Sequence, residues 1–213
     1  MAMRRVLVLA PHTDDGEFGC GGTIAKLVEQ GSKVYYIAFS AAEKSVPDGF
    51  PDGVLREEVM QATQVLGISS QNLRIFNYEV RDFPLHRQAI LEDLVRLQRE
   101  ITPDLVLLPS LHDIHQDHMT IAVEGLRAFK TTTMLGYELP WNNLTFSATS
   151  FVFLGDTHIQ RKVEALHCYV SQRFRQYASA DFIYSLARAR GTQIGAEYAE
   201  SFEVIRWVLN GRF

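Results

Sequence analysis

Val6-Leu7-Val8-Leu9-Ala10 runs without a break into Pro11-His12-Thr13-Asp14-Asp15-Gly16-Glu17, and Gly19-Cys20-Gly21-Gly22 follows shortly after. A short, continuous apolar run is the pattern of a strand buried on both faces of a parallel sheet. The polar turn behind it carries one imidazole and three carboxylates, and residues 23–29 are expected to form a helix. A buried strand ending in His, Asp and Asp ahead of a helix sets polar groups at the carboxyl edge of a sheet. Open α/β sheets bind ligands at that edge. His12 and Asp15 are close enough on the turn to share one divalent cation, with Asp14 between them and free for other work. The plain alternative is structural: Asp-Asp-Gly is a common turn former, and either aspartate could cap the following helix.

Working outward, residues 33–39 form a second expected strand. Residues 40–53 carry Pro47, Gly49, Pro51 and Gly53, so this is a long loop that should border the site. Apolar positions at three-to-four spacing (Leu55, Val59, Ala62, Leu66) predict a helix over 54–66, stopped by Gly67. Further helices are expected at 85–100, with Ile90, Leu94 and Leu97 on one face, and at 120–130, 156–168 and 181–189. Strands are expected at 73–76, 105–108, 134–138, 150–154 and 202–208. Strands alternating with helices define an α/β fold, a largely parallel sheet with helices on both faces. Residues 1–213 are expected to make one domain.

Composition narrows the function classes. The 213 residues are 46% hydrophobic and 22% charged, with a net charge of −4. That charge argues against a nucleic-acid partner, which needs a basic face. Arg4 and Arg5 precede an apolar run too short for the roughly 7–15 residues of a signal sequence core. No stretch approaches the roughly 18 apolar residues of a membrane span. With only two cysteines, Cys20 and Cys168, a disulfide framework is not expected, and a cytoplasmic setting fits. The sequence leaves open whether copies associate into a homo-oligomer.

A second polar cluster stands beyond the strand at 105–108: Ser110-Leu111-His112-Asp113-Ile114-His115-Gln116-Asp117-His118. Three histidines and two aspartates just past a buried strand have no packing rationale. His115 and His118 should point the same way from the start of a helix, and both clusters can converge at one sheet edge. His12, Asp15 and one histidine of this cluster would give three N/O ligands and leave a coordination position open. Such a set suits a catalytic zinc, one per chain, although Fe2+, Co2+ or Ni2+ could also occupy it. Zinc so held acidifies a bound water to a pKa of about 7 and polarises an incoming carbonyl. Asp14 is placed to take the water's proton. The histidine not on the metal would stabilise an oxyanion or protonate a leaving amine, with Asp117 tuning it. These parts together point to metal-assisted hydrolysis.

The two motifs together resemble those of the PIG-L/LmbE-like zinc-dependent de-N-acetylases, which remove acetyl from N-acetylglucosamine-type amides. The similarity extends through Leu55-Arg56-Glu57-Glu58, through Lys162-Val163-Glu164-Ala165-Leu166 with Ser171-Gln172, and through Tyr198-Ala199-Glu200-Ser201-Phe202-Glu203. The resemblance implies a single-domain, Rossmann-like fold and an N-acetylated amino-sugar conjugate as substrate. It implies His12, Asp15 and His118 as zinc ligands and Asp14 as general base. It also implies His115 as the group that stabilises the tetrahedral intermediate or acts as acid, Asp117 as its partner, and Arg56 as a substrate-binding arginine. Thr13 and Gln116 replace prolines often found in the family motifs, and neither change removes a functional group. Tyr137, Glu138 and Trp141 follow a strand and are candidates for lining a sugar pocket. Three rival readings are weaker. A nucleotide- or sugar-binding module would use the glycines after the first strand, yet Ile24 stands where the dinucleotide fingerprint has its last glycine. A two-metal phosphoesterase needs more ligands than the motifs supply, and Cys20 as nucleophile sits among small residues suited to packing.

Overall fold

In the computed structural model, which describes residues 3–209, β1 (Arg5–Ala10) is buried at every position from Val6 onward. Residues 1–2 and 210–213 of the expected 1–213 domain lie outside the described residues. Alternate side chains of β1 enter two separate cores, as the period of a strand requires. Val6, Val8 and Ala10 pack with α1 (Asp15–Glu29), α2 (Val54–Val65), α5 (Asp156–His167) and α6 (Ala180–Thr192). Leu7 and Leu9 pack on the other face with α3 (Arg87–Ile101) and α4 (Gln116–Ala128).

The remaining strands are β2 (Lys33–Ala38), β3 (Leu73–Ile75), β4 (Leu105–Pro109), β5 (Thr133–Tyr137), β6 (Ser150–Leu154) and β7 (Tyr198–Arg206). Their order is β3-β2-β1-β4-β5-β7-β6. The first five are parallel, and β7 runs antiparallel to both of its neighbours. β2 lies on one side of β1 and β4 on the other, so the strand order reverses between β1 and β4. A crevice opens at the carboxyl ends there, the place where doubly wound sheets take ligands. Both polar motifs follow those two strands.

The structure departs from expectation chiefly in α1, which begins at Asp15 and not at residue 23. Gly19, Gly21 and Gly22, which precede the expected helix, lie inside it, packed where neighbouring side chains leave no room for a Cβ. One added at Gly19 would overlap the Tyr137 ring, and one at Gly22 would sit 2.6 Å from Leu154. The helix breaks at Cys20 (φ −149°, ψ 24°), which orphans backbone groups on either side. Glu200 of β7 accepts from the amides of Gly22 (3.0 Å) and Thr23 (2.6 Å). Lys162 of α5 donates to the Phe18 carbonyl (2.6 Å) and to Glu200 (2.7 Å). The 162–166 and 198–203 segments therefore brace the kink of the helix that follows the first motif. Elsewhere the shifts are small. Phe83–His86 form a 3-10 turn containing Pro84, so α3 starts at Arg87, while α4 starts earlier than expected, at Gln116.

Candidate active site

The two motifs meet at the crevice. Asp15 Oδ2 lies 3.1 Å from His12 Nδ1 and 3.2 Å from His118 Nε2, and those two nitrogens are 3.3 Å apart. Tetrahedral donors around a zinc, at bonds of about 2.0–2.2 Å, stand about 3.4 Å from one another. The three atoms thus already have the spacing of one face of such a site. The other nitrogen of each imidazole is held by a buried carboxylate, His12 Nε2 by Asp117 (2.9 Å) and His118 Nδ1 by Asp113 (2.7 Å). Carboxylates in that position fix the ring and its tautomer and raise ligand basicity. His115 offers a ring nitrogen within 4.8 Å of those of His12 and His118, so the three histidines form a cluster that could hold a metal ion.

The electrostatics fit a cation. Burial disfavours the charged form of His118, but Asp15 and Asp113 outweigh it and raise its pKa to about 10. Burial likewise works against His12, and Asp15 and Asp117 reverse it. Asp15 itself, although buried, is held well below the usual carboxylate range by His118 and His12. A buried site that draws protons onto its imidazoles is one whose carboxylates demand positive charge.

Asp14 stands apart from this set. It occupies the N-cap position of α1 but makes no capping hydrogen bond, so the structural reading of the aspartates fails for it. Asp15 instead accepts from the His12 amide at 2.8 Å. Asp14 lines the cleft beside the ligand atoms. Burial and the Asp15 charge push its pKa up to about 6, against the pull of Arg175 and His12, close to the value a general base needs at neutral pH.

Two expected pairings change. The Asp117 carboxylate serves His12, and it also accepts from the Arg81 amide at 2.7 Å. Its link to His115 runs through the backbone, because the Asp117 amide in the first turn of α4 donates to His115 Nδ1 (3.2 Å). That bond leaves the proton of a neutral His115 on Nε2. Burial, His118 and His12 lower the His115 pKa to about 4, so it offers a hydrogen-bond donor and not an acid. Arg56, expected at the substrate, is engaged by Glu43 (3.0 Å) and Asn77 (2.7 Å), outside the residues lining the cleft. Glu138 is held by Arg190 and Ser201 and lines a neighbouring apolar pocket. Trp141 lines both that pocket and the cleft, where its ring stacks on Tyr177 at 3.8 Å. Tyr137 is fully buried, its hydroxyl donating to the Leu9 carbonyl. Cys20 is buried, and burial lifts its thiol well above the ordinary value, which removes it as a nucleophile.

The cleft encloses about 280 Å3 and, as expected, is bordered by the 40–53 loop through Ala42 and Ser45. Sequence reasoning missed several of its walls: Arg81, Asn142, Arg175 and Tyr177. It gave Gln172 no role, yet Gln172 lines the cleft and its buried Oε1 has no hydrogen-bond partner.

Beneath the Thr13–Asp14 turn lies a buried network. The hydroxyls of Tyr36 and Tyr169 each reach both the Thr13 carbonyl (2.9 and 2.8 Å) and the Glu17 carboxyl. Two phenol protons cannot serve all four of these contacts, and a protonated Glu17 adds a third donor to the network. Burial pushes the Glu17 pKa up to about 8. An unfolded glutamate titrates near 4.5, so the folded state binds this proton more tightly. Its contribution to stability is full below about pH 4.5 and is lost as pH rises through about 8. In metal-free protein, Glu17→Gln should therefore flatten the fall in Tm between pH 6 and pH 9. The effect should be on the order of a few kcal/mol. Parallel Tm–pH curves for the two proteins would refute the assignment.

Nitrogen and carboxylate donors thus meet at the switch point of a doubly wound sheet with one carboxylate left over, an arrangement that could hold a metal ion and suits metal-assisted hydrolysis. Residues 7–129 match the family model described as PIG-L, GlcNAc-PI de-N-acetylase, and the chain belongs to that family. It is 28% identical over 171 residues to the uncharacterised deacetylase YaiS of Escherichia coli K12, covering 76% of this chain and 88% of that one. It is 28% identical over 134 residues to the diacetylchitobiose deacetylase of Thermococcus kodakarensis, covering 59% of this chain and 49% of the relative. Among solved structures, the 4-carboxy-2-hydroxymuconate hydratase of Pseudomonas putida superposes with a TM-score of 0.81 at 21% identity, covering 99% of this chain and 100% of that one. The last likeness concerns the fold alone, and the fold by itself does not select a reaction.

Proposed function

We propose that the protein hydrolyses the N-acetyl amide of an N-acetylglucosamine-type sugar or sugar conjugate. In this reading one zinc-class divalent ion is held by His12, Asp15 and His118, with Asp14 as general base. The observation that carries it is the division of labour between adjacent aspartates. Asp15 stands 3.1–3.2 Å from the two ring nitrogens, while Asp14 lines the cleft and makes no capping bond to α1. Kinship with named deacetylases supports the choice of an acetylated amino sugar.

A cation so held supplies Lewis acidity toward the amide carbonyl and its attacking water. Asp14 takes the water's proton as the new C–O bond forms. His115 Nε2–H donates to the oxygen that gains charge, as a fixed donor preorganised for the transition state. Asp14 then returns the proton to the sugar nitrogen as the C–N bond breaks, giving acetate and a free amine. One carboxyl that serves as base and then as acid needs a pKa near neutrality, which suits Asp14. The free thiols of Cys20 and Cys168 agree with a cytoplasmic setting, and no helix among the described residues is long and apolar enough to cross a membrane.

Zinc-loaded protein should release amine from N-acetylglucosamine presented free, nucleotide-linked or lipid-linked. A chelator should abolish the release and added zinc restore it. Phosphate release without amine release would point to the phosphoesterase reading instead.

A further inference from the structure

Beyond His12, Asp14, Asp15, His115 and His118, the charged side chains lining the cleft are two arginines, Arg81 and Arg175. They arrive from different parts of the chain, Arg81 from the turn ahead of α3 and Arg175 from the loop between α5 and α6. Neither lies within salt-bridge distance of a carboxylate among the described residues. Arg56 and Arg190, by contrast, are held by Glu43 and Glu138.

Arg175 is held in place but not satisfied, and the guanidinium of Arg81 is exposed to solvent at the mouth of the cleft. Arg175 gives one Nη to the Tyr177 hydroxyl, while its Nε is buried with no hydrogen-bond partner. A buried, unpaired donor of this kind is costly unless a ligand supplies the acceptor. The Arg81 guanidinium reaches only Ser45 Oγ, at 3.5 Å, too far for a good hydrogen bond. Its backbone takes a left-handed φ of 77°, which a non-glycine residue rarely adopts. The Arg81 amide is tied to the same Asp117 oxygen that holds His12, so this wall is fixed relative to the reacting centre. Strain retained beside a site in this way is a mark of function.

We infer that the natural substrate carries an anionic substituent, a carboxylate or a phosphate ester, bound by Arg81 and Arg175 while its N-acetyl group lies at His12, Asp15 and His118. The inference rests on the hydrolase reading above and adds the chemical class of the group attached to the sugar. Planar guanidinium forks suit such groups because they donate in pairs to carboxylate and phosphate oxygens. A competing role for Arg175 is to act as counter-charge to Asp14 alone. That role predicts altered kcat on every substrate, whereas anion binding predicts a change in KM confined to charged ones.

The test uses the carboxymethyl glycoside of N-acetylglucosamine against its carbamoylmethyl glycoside, an uncharged isostere, with N-acetylglucosamine 1-phosphate as a third probe. Wild-type protein should favour the carboxymethyl compound in kcat/KM by about tenfold or more, the scale of one charge-assisted hydrogen bond. Added salt should erode the preference. In R81Q/R175Q the ratio should fall to within about threefold of unity, through KM, with bound metal retained. The phosphate probe then tells which anion fits better. Equal use of the two glycosides by wild type, or a preference that survives in R81Q/R175Q, overturns the inference while leaving the hydrolase reading intact. Amine release from none of the probes would count against the hydrolase reading. Calorimetry of the same glycosides then decides the inference: tighter binding of the charged one, lost in R81Q/R175Q, sustains it, and equal binding refutes it.

Discussion

Asp14→Asn should keep its bound metal and lose about 10²–10⁴-fold in kcat, the usual worth of a positioned general base. Asparagine has the shape of aspartate but cannot accept a proton at neutral pH. Asp14 makes no capping bond, and the closest ligand atoms belong to His12, Asp15 and His118, so the exchange leaves no structural partner stranded. Metal content by atomic emission and amine release on the same preparation separate the two effects. The loss should fall on kcat with KM nearly unchanged, since the proton moves only on the way to the transition state. A variant with wild-type turnover would remove Asp14 from the mechanism whatever its metal content. A variant without metal would show that Asp14 belongs to the ligand set.

Much of the site was legible because its chemistry is local in sequence. Each cluster directly follows a continuous apolar run, and such runs announce buried parallel strands, so His12–Asp15 and His115–His118 could be placed at one sheet edge. What the sequence hides is long-range partnership. Asp117 stands next to His118 and two residues from His115, yet its carboxylate crosses to His12, and Asp113, five residues before His118, takes His118. Only the strand order, with β4 beside β1, decides that exchange. Arg81 and Arg175 were invisible for a related reason. One is an arginine at positive φ, a conformation that glycine or asparagine advertises in a sequence and arginine does not. The other lies in a loop of short 3-10 turns without periodicity. The glycines of α1 misled in the opposite sense: they signal close packing against Tyr137 and Leu154, and a breaker signal in sequence cannot tell packing from a turn.

Replacing His12, Asp15 or His118 by alanine should abolish tight metal binding and with it turnover, because two remaining donors cannot hold a divalent ion with an open position. Asp15→Ala should be the most damaging, since Asp15 Oδ2 also accepts from the His12 amide (2.8 Å) and so sets the turn itself. The outer carboxylates should behave differently. Asp113→Asn and Asp117→Asn keep all three ligands but remove the charge that orients His118 and His12, which typically costs about 10–100-fold in metal affinity. Excess zinc should restore their activity and should not restore that of the alanine variants. Asp117→Asn should also weaken use of the carboxymethyl glycoside, because the same oxygen anchors Arg81. The histidine cluster leaves one rival ligand set, His12, His115 and His118. Under that rival, His115→Ala would strip the metal and Asp15→Ala would retain it. Under the assignment made here the order is reversed, and metal titrations of these two variants decide between them.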